Sequence, residues 1–391
     1  MCTYQIRVNK IAKVNYRSLN QKRLQLKFNT LLAAILLVFI LCVSLLTHSI
    51  DAKNKTLKDL AAPDTEIGSI AIYNTFFPEN GKIQQKYQTL YQKEMSAGTV
   101  LSYPKVLWKG LKQYDFSQFN TIVNWFEERG LVQIAHLLVG PNHYYPKWFT
   151  NDSYTNEELE NVMEDYIRQV MHSNGNSSKI DIWNVVNETL WLRGGAPYAG
   201  TIWNQLGWEE DRSGLRGSDK VLTRHPVYIR KALEIARKYT NNKLELRDNG
   251  VAFPEDDEYQ MFYQLAKHLL NQNVPLDAVS FQTHLNTDRT YNWEGLTNNI
   301  RRYKDLGLEV YLTELDIGND GTKQGRKKQK RYYYNVVKAA KAGGIDQIHL
   351  WGLNDGQMGD YRKDEFALLF EGFMKPKPAY YGFRQALENS R

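Results

Sequence analysis

Ile182-Trp183-Asn184-Val185-Val186-Asn187-Glu188 is a short, apolar, β-branched run that ends in a carboxylate. Tyr311-Leu312-Thr313-Glu314-Leu315-Asp316-Ile317 repeats the pattern 126 residues later. A buried parallel strand reads this way when it carries a glutamate to the rim of a sheet. Alone, either glutamate is as readily a strand-end residue capping a neighbouring helix. Together, on two strands of one domain, they supply a proton donor and a group that attacks or activates water, the minimum for cleaving a glycosidic bond.

Outward from these runs the chain alternates strand and helix without internal repeat. Strands are expected at 67–73, 95–100, 131–139, 180–186, 244–246, 278–281, 310–313 and 347–351. Helices are expected at 82–93, 116–129, 157–171, 225–239, 256–271, 297–306, 328–342 and 380–388. Eight such units predict an α/β fold, a (β/α)8 TIM barrel over residues 66–391. In that fold the residues at and just after strand ends form the active face, which is where Asn187, Glu188 and Glu314 fall.

The basic character of the chain is local. Residues 1–60 hold ten Lys or Arg against Asp51 and Asp59, which accounts for the whole chain's net charge of +7. The remainder is close to neutral, so a nucleic-acid partner is not expected. Seven of those cations precede Leu31–Leu46, LLAAILLVFILCVSLL, which contains no charge. The pattern predicts a basic cytoplasmic tail at 1–28, a single transmembrane signal anchor at 29–50 and a polar linker at 51–65. Thr47-His48-Ser49 is a poor cleavage site, which favours a retained anchor; cleavage would make the protein secreted. The only cysteines, Cys2 and Cys42, lie outside the exported part, so neither a disulfide nor a thiolate metal site is expected there, and no metal or cofactor is called for.

Further motifs sit at successive strands: Phe281-Gln282-Thr283-His284-Leu285, Trp351-Gly352-x-x-Asp355, and Leu368-Leu369-Phe370-Glu371 with Pro376-Lys377-Pro378-Ala379-Tyr380. With the two glutamate runs, they make residues 65–391 resemble glycoside hydrolase family 10, the retaining endo-β-1,4-xylanases. The resemblance implies Glu188 as acid/base and Glu314 as nucleophile. It implies that Asn187 binds the 2-hydroxyl of the sugar being cleaved and that His284 holds Glu314 with Asp316 behind it. Gln282 and Trp351 would line the same subsite. The expected partner is a polysaccharide or oligosaccharide substrate, and the protein is expected to be a monomer.

The departures lie in the shell around the sugar. Where the family shows Trp-His after the third strand, this chain reads Gly140-Pro141, with His143 nearby in a loop about one residue longer. His143 fills that vacancy or is an ordinary loop histidine, the second being the plainer reading. The family's Glu-Asn-x-Met-Lys-Trp appears as Tyr103-Pro104-Lys105-Val106-Leu107-Trp108, which keeps only Trp108 as a candidate binding residue. Arg247-Asp248-Asn249-Gly250 stands where the family has Asn-Asp-Tyr-Asn. The expected activity is therefore hydrolysis of a β-1,4-linked polysaccharide, either xylan or another surface or exported glycan. The alternative is a catalytically silent glycan-binding barrel. The loop 191–208 is a candidate aglycone platform, and the basic run at 326–331 reads as a solvated helix start.

Overall fold

The computed structural model describes residue 37 and residues 55–78, 81–190, 196–215, 221–357 and 362–390. The chain divides into two units, Met1–Lys55 and Thr56–Arg391, and the second carries the fold. The expected anchor at 29–50 lies outside the described residues apart from Leu37. Among the described residues no helix is long and apolar enough to cross a membrane.

Eight parallel strands close into a barrel. They are β1 (Glu66–Ala71), β2 (Ala97–Leu101), β3 (Val132–Val139), β4 (Ile182–Asn187), β5 (Lys243–Asp248), β6 (Ala278–Phe281), β7 (Glu309–Gly318) and β8 (Gln347–Leu350). Each pairs with its neighbour in sequence, and β8 returns to β1. The strands are buried along nearly their whole length because outer helices cover one face and the barrel interior the other. Ile134, Ile182, Ala278 and Tyr311 pack together inside, toward the strands' N-terminal ends. Nearer the mouth the interior turns polar. Thr99 meets His349 Nδ1 at 2.8 Å, and Asn184 meets His136 Nδ1 at 2.7 Å.

All eight expected strands are present, most with ends displaced by one or two residues. The largest extension is β7, which runs on to Gly318 because a short strand, His284–Asn286, pairs with its far half. Its register with β8 shifts between Leu312 and Leu315, and Glu314 sits in that irregularity with φ 60°. Such a bulge re-aims a side chain.

The helix expected from 297 begins earlier, at Trp293, because the Asn292 side chain accepts from Gly295 N. Likewise the helix expected from 157 begins at Asn156, because Thr155 caps it in a reciprocal pair with Glu158. The helix expected from His225 starts at Val227, since Arg224–Pro226 pairs as a strand with Trp208–Glu210.

One boundary needs correction. Residues 51–65 are not all linker, because Leu57–Ala61 is a helix that belongs to the barrel domain. Thr56 and Asp59 cap it reciprocally, and Leu57 and Leu60, three apart, are both buried. Leu57 N donates to Glu94 Oε2 at 2.9 Å, and Tyr380 OH reaches the same carboxylate at 3.3 Å. The polar composition of this stretch hid the i, i+3 leucines.

Candidate active site

The mouth of the barrel opens into a cleft of about 1080 Å³ lined by Glu188, Glu314, Gln282, His284 and Trp351 among others. Glu188 follows the last residue of β4, and its N–H donates to Arg247 O at 3.0 Å. Like Glu314 it takes a positive φ, 53°, a conformation uncommon for a glutamate and concentrated at functional sites. Both carboxylates are buried, at 8 % and 4 % exposure. Thr283 also turns through positive φ, 60°, between Gln282 and His284. Those two flanking residues reach different carboxylates: Gln282 Nε2 donates to Glu188 Oε1 at 3.0 Å, and His284 Nε2 lies 3.1 Å from Glu314 Oε2.

The two carboxyl groups are held in opposite states. Burial pushes Glu188 up to about 7, and the charges of Glu314 and Asp248 add to it against the Gln282 hydrogen bond. Burial also opposes the charge of Glu314. There His136, His284 and Arg247 more than offset it, and the pKa falls to about 2. Burial and Arg247 push His136 itself down to about 3, so at neutral pH it faces Glu314 as a neutral imidazole. The cations that hold the nucleophile candidate are therefore His284 and Arg247. Burial works against the His284 cation too, but Asp316, 3.1 Å from Nδ1, and Glu314 raise it to about 10. Arg362 pairs with Asp316 from behind and donates to Leu285 O at 2.7 Å.

Asn187 lies beside this pair, its Oδ1 3.4 Å from Gln282 Nε2 and its Nδ2 3.5 Å from Tyr144 OH. Trp351, just beyond β8, sets its ring edge-on to His136 and His284 at 5.6 and 6.0 Å. His143 is not a bystander in its loop. Its Nε2 comes within 3.5 Å of Glu188 Oε2 and its ring lines the cleft, because the short helix Asn142–Tyr144 lifts it there.

Trp108 is the residue the fold does not bring to the cleft. It is 2 % exposed and packs on Trp148, Phe149 and Tyr166, because the chain turns after Pro104–Leu107 into a small hairpin with Gln113–Tyr114. In its place the same segment offers Lys105, whose Nζ lies 5.5 and 5.8 Å from the ring centres of Tyr103 and Tyr144. Trp203, in the loop expected as an aglycone platform, is buried and donates to Tyr145 OH at 2.9 Å, so it pins its loop. Asp248 does similar work for the chain after Glu188, accepting from Thr189 N and Leu190 N at 2.8 Å. Arg247, Lys105 and His136 escaped assignment because their roles depend on which way each strand end faces the mouth. For Arg247 a signal was present, an arginine two residues after a glutamate on a strand expected to be buried.

A second titratable cluster lies away from the cleft. Asp211, His225 and His268 converge closely enough to hold a cation. However, Arg212 N already donates to His268 Nδ1 at 2.9 Å, and Tyr198 OH meets His225 Nδ1 at 2.6 Å. Those bonds use the lone pairs a metal would need and read as a network that fastens the hairpin to the helix Tyr259–Leu270.

The sequence profile described as Glycosyl hydrolase family 10 matches residues 56–386. The chain is 27 % identical to endo-1,4-beta-xylanase B of Thermotoga neapolitana, over 91 % of this chain and 97 % of that one. It is 31 % identical to endo-1,4-beta-xylanase B of Neocallimastix patriciarum, over 71 % of this chain and 30 % of that longer protein. Xylanase 10B from Thermotoga petrophila RKU-1, solved in complex with xylobiose, superposes with a TM-score of 0.73 at 27 % identity, covering 86 % of this chain and 98 % of that one.

Proposed function

Because the chain belongs to glycosyl hydrolase family 10 and is a glycoside hydrolase, we propose that it cleaves a β-1,4-linked polysaccharide internally, with retention, by double displacement. The observation that carries this reading is the pair of buried carboxyl groups in one cleft, Glu188 against the neutral Gln282 amide and Glu314 between His284 and Arg247, so that the pKa of the first is raised and that of the second lowered. Such a division assigns the roles of acid and nucleophile. Glu314, ionised, attacks the anomeric carbon while Glu188 gives its proton to the departing oxygen. In the second step Glu188 takes a proton from water as that water attacks the same carbon, and the Glu314 carboxylate leaves. His284, clamped between Glu314 and Asp316, fixes the nucleophile's rotamer. Asn187 and Trp351 face the sugar at the point of cleavage, and His143 stands over the acid/base.

Relatives named as xylanases support a xylan backbone, and the open cleft supports internal cleavage. A second reading, a glycan that carries anionic groups, is favoured by the lining. Among the described residues, the only acids in the cleft wall are Glu188 and Glu314. Lys105 and Arg289 line opposite rims, beyond β2 and β6, and neither joins an ion pair among the described residues. Attachment to a membrane through residues 29–50 rests on the seven cations that precede the apolar run.

The test is a polysaccharide panel with reducing-end detection on the full-length protein, including a glucuronoxylan before and after reduction of its carboxyl groups. Equal rates on the two forms count against the anionic reading. Inactivity throughout, with no β-anomer released first in proton NMR, counts against the whole proposal.

A further inference from the structure

Glu314 is held by two cations, and only one of them, His284, belongs to the cleft wall. The other, Arg247, is 0 % exposed and lies beneath it. Glu245 and Arg247, two apart on β5, project to the same side, into the barrel interior. Glu245 Oε1 accepts from Arg247 Nε at 2.7 Å, and Glu245 Oε2 accepts from Nη2 at 3.3 Å. The Ser280 hydroxyl on β6 donates to Glu245 in turn. Held along that edge, the guanidinium is left with Nη1, which donates to Glu314 Oε1 at 3.1 Å. His284 takes the other oxygen, Oε2, from the cleft side.

Stability is a weak reason for three charges to meet here. Replacing a buried ion pair with well-packed apolar residues is often neutral or stabilising. A fixed donor aimed at an oxygen whose charge changes during reaction is, in contrast, among the strongest catalytic devices known. We propose that Arg247, oriented by Glu245, is a catalytic residue of this chain. Its Nη1–H holds Oε1 of Glu314 during attack, stays on that oxygen as it becomes the ester carbonyl, and stabilises the carboxylate when it leaves in the second step. The inference rests on reading Glu314 as the nucleophile.

The bookkeeping of the reaction is unchanged. In the first step the bond from Glu314 Oε2 to the anomeric carbon forms and the glycosidic bond breaks, the proton coming from Glu188. In the second, water oxygen bonds that carbon, its proton passes to Glu188, and the ester bond breaks with its electron pair returning to Glu314. Arg247 stays protonated throughout. Among the described residues, the other titratable groups that face Glu314 come from several strands. Tyr103 and Tyr144 approach from beyond β2 and β3, neutral His136 from β3, and Glu188 from β4. Beyond β6 stands His284, and Asp316 backs it from β7. His349 on β8, also neutral, faces Arg247.

The experiment compares the full-length protein with the double variant Glu245→Gln/Arg247→Gln, which removes both charges without leaving one buried alone, and with Arg247→Lys. Carbon-13 NMR titration of glutamate carboxyl groups, with Glu314 assigned by Glu314→Gln, reads the clamp directly. The double variant should titrate at Glu314 roughly 1–3 pH units higher, the usual effect of a neighbouring arginine, while Arg247→Lys stays near the parent. On 2,4-dinitrophenyl β-xylobioside, whose first step is fast, the double variant should release a burst of dinitrophenolate and then turn over slower by roughly tenfold or more. A folded double variant with both the titration and the second step unchanged overturns the proposal and leaves Arg247 a core ion pair. If the parent turns over no aryl β-glycoside, the glycosidase reading fails, and the carboxyl titration still decides the clamp.

Discussion

Raising the pH through neutrality is the most direct perturbation of Glu188 in its assigned role. Its carboxyl is pushed up from an ordinary 4.5 to about 7 by burial first and by the Glu314 and Asp248 charges second. That displacement corresponds to about 3 kcal/mol of preference for the neutral form. Only the neutral form can protonate a departing sugar oxygen. On an unactivated oligosaccharide, kcat/KM should therefore hold level below about pH 7 and then fall about tenfold per pH unit. The opposing limb belongs to Glu314, near 2, so it lies below the range in which most folds survive. The assay is initial-rate kcat/KM from pH 4 to 9 on xylohexaose, run beside a 2,4-dinitrophenyl β-glycoside. Departure of dinitrophenolate needs no proton, so its kcat/KM should lack the basic limb, as should that of Glu188→Ala on the same substrate. A limb near 7 that persists with the activated substrate, or one displaced to pH 9 with the natural one, would refute the assignment.

Glu314→Ala should abolish turnover of every substrate, whereas Glu188→Ala should be rescued by azide with a product of retained configuration; the reverse pattern would mean that the roles are exchanged. Because the folded pKa of Glu188 is raised, its stabilising effect is complete below about 4.5 and is lost as pH rises through about 7. Glu188→Gln should accordingly gain up to about 3 kcal/mol over the parent at pH 8 and little at pH 4, read by urea unfolding at both. A Cβ on Gly140 would meet Asn187 O and the Tyr144 ring at 3.2 Å. Gly140→Trp with Pro141→His should therefore lower kcat/KM on xylohexaose rather than restore a family-like subsite. N-terminal sequencing of the mature protein, with protease access to intact cells, checks the anchor; a chain beginning near Asp51 would exclude a retained one.

The barrel was legible because parallel strands buried on both faces read as short, largely apolar runs, and such runs alternate with helical segments along this sequence. Glu188 and Glu314 stood out as carboxylates delivered by such runs, whereas Gln282 and His284 were singled out only through the family resemblance, and the structure brings all four to one cleft. What failed depended on direction rather than position. Trp108 keeps a family motif, yet the hairpin that follows turns it into the core. His143 reads as a loop residue in the sequence, and the short helix Asn142–Tyr144 aims it at Glu188. The leucines of Leu57–Ala61 were lost among polar neighbours, since a five-residue helix offers too little periodicity to register. No spacing rule could have told which nitrogen of Arg247 would be left for Glu314.

The docking of Leu57–Ala61 against Glu94 and Tyr380 has a spatial meaning of its own. Glu94 closes the helix that leads into β2, and Ala61 leads directly into β1, so this stitch lies at the floor of the barrel. The cleft lies at the roof, at the opposite ends of the same strands. Residues 56–61 thus enter the barrel domain at the end opposite the reacting carboxylates.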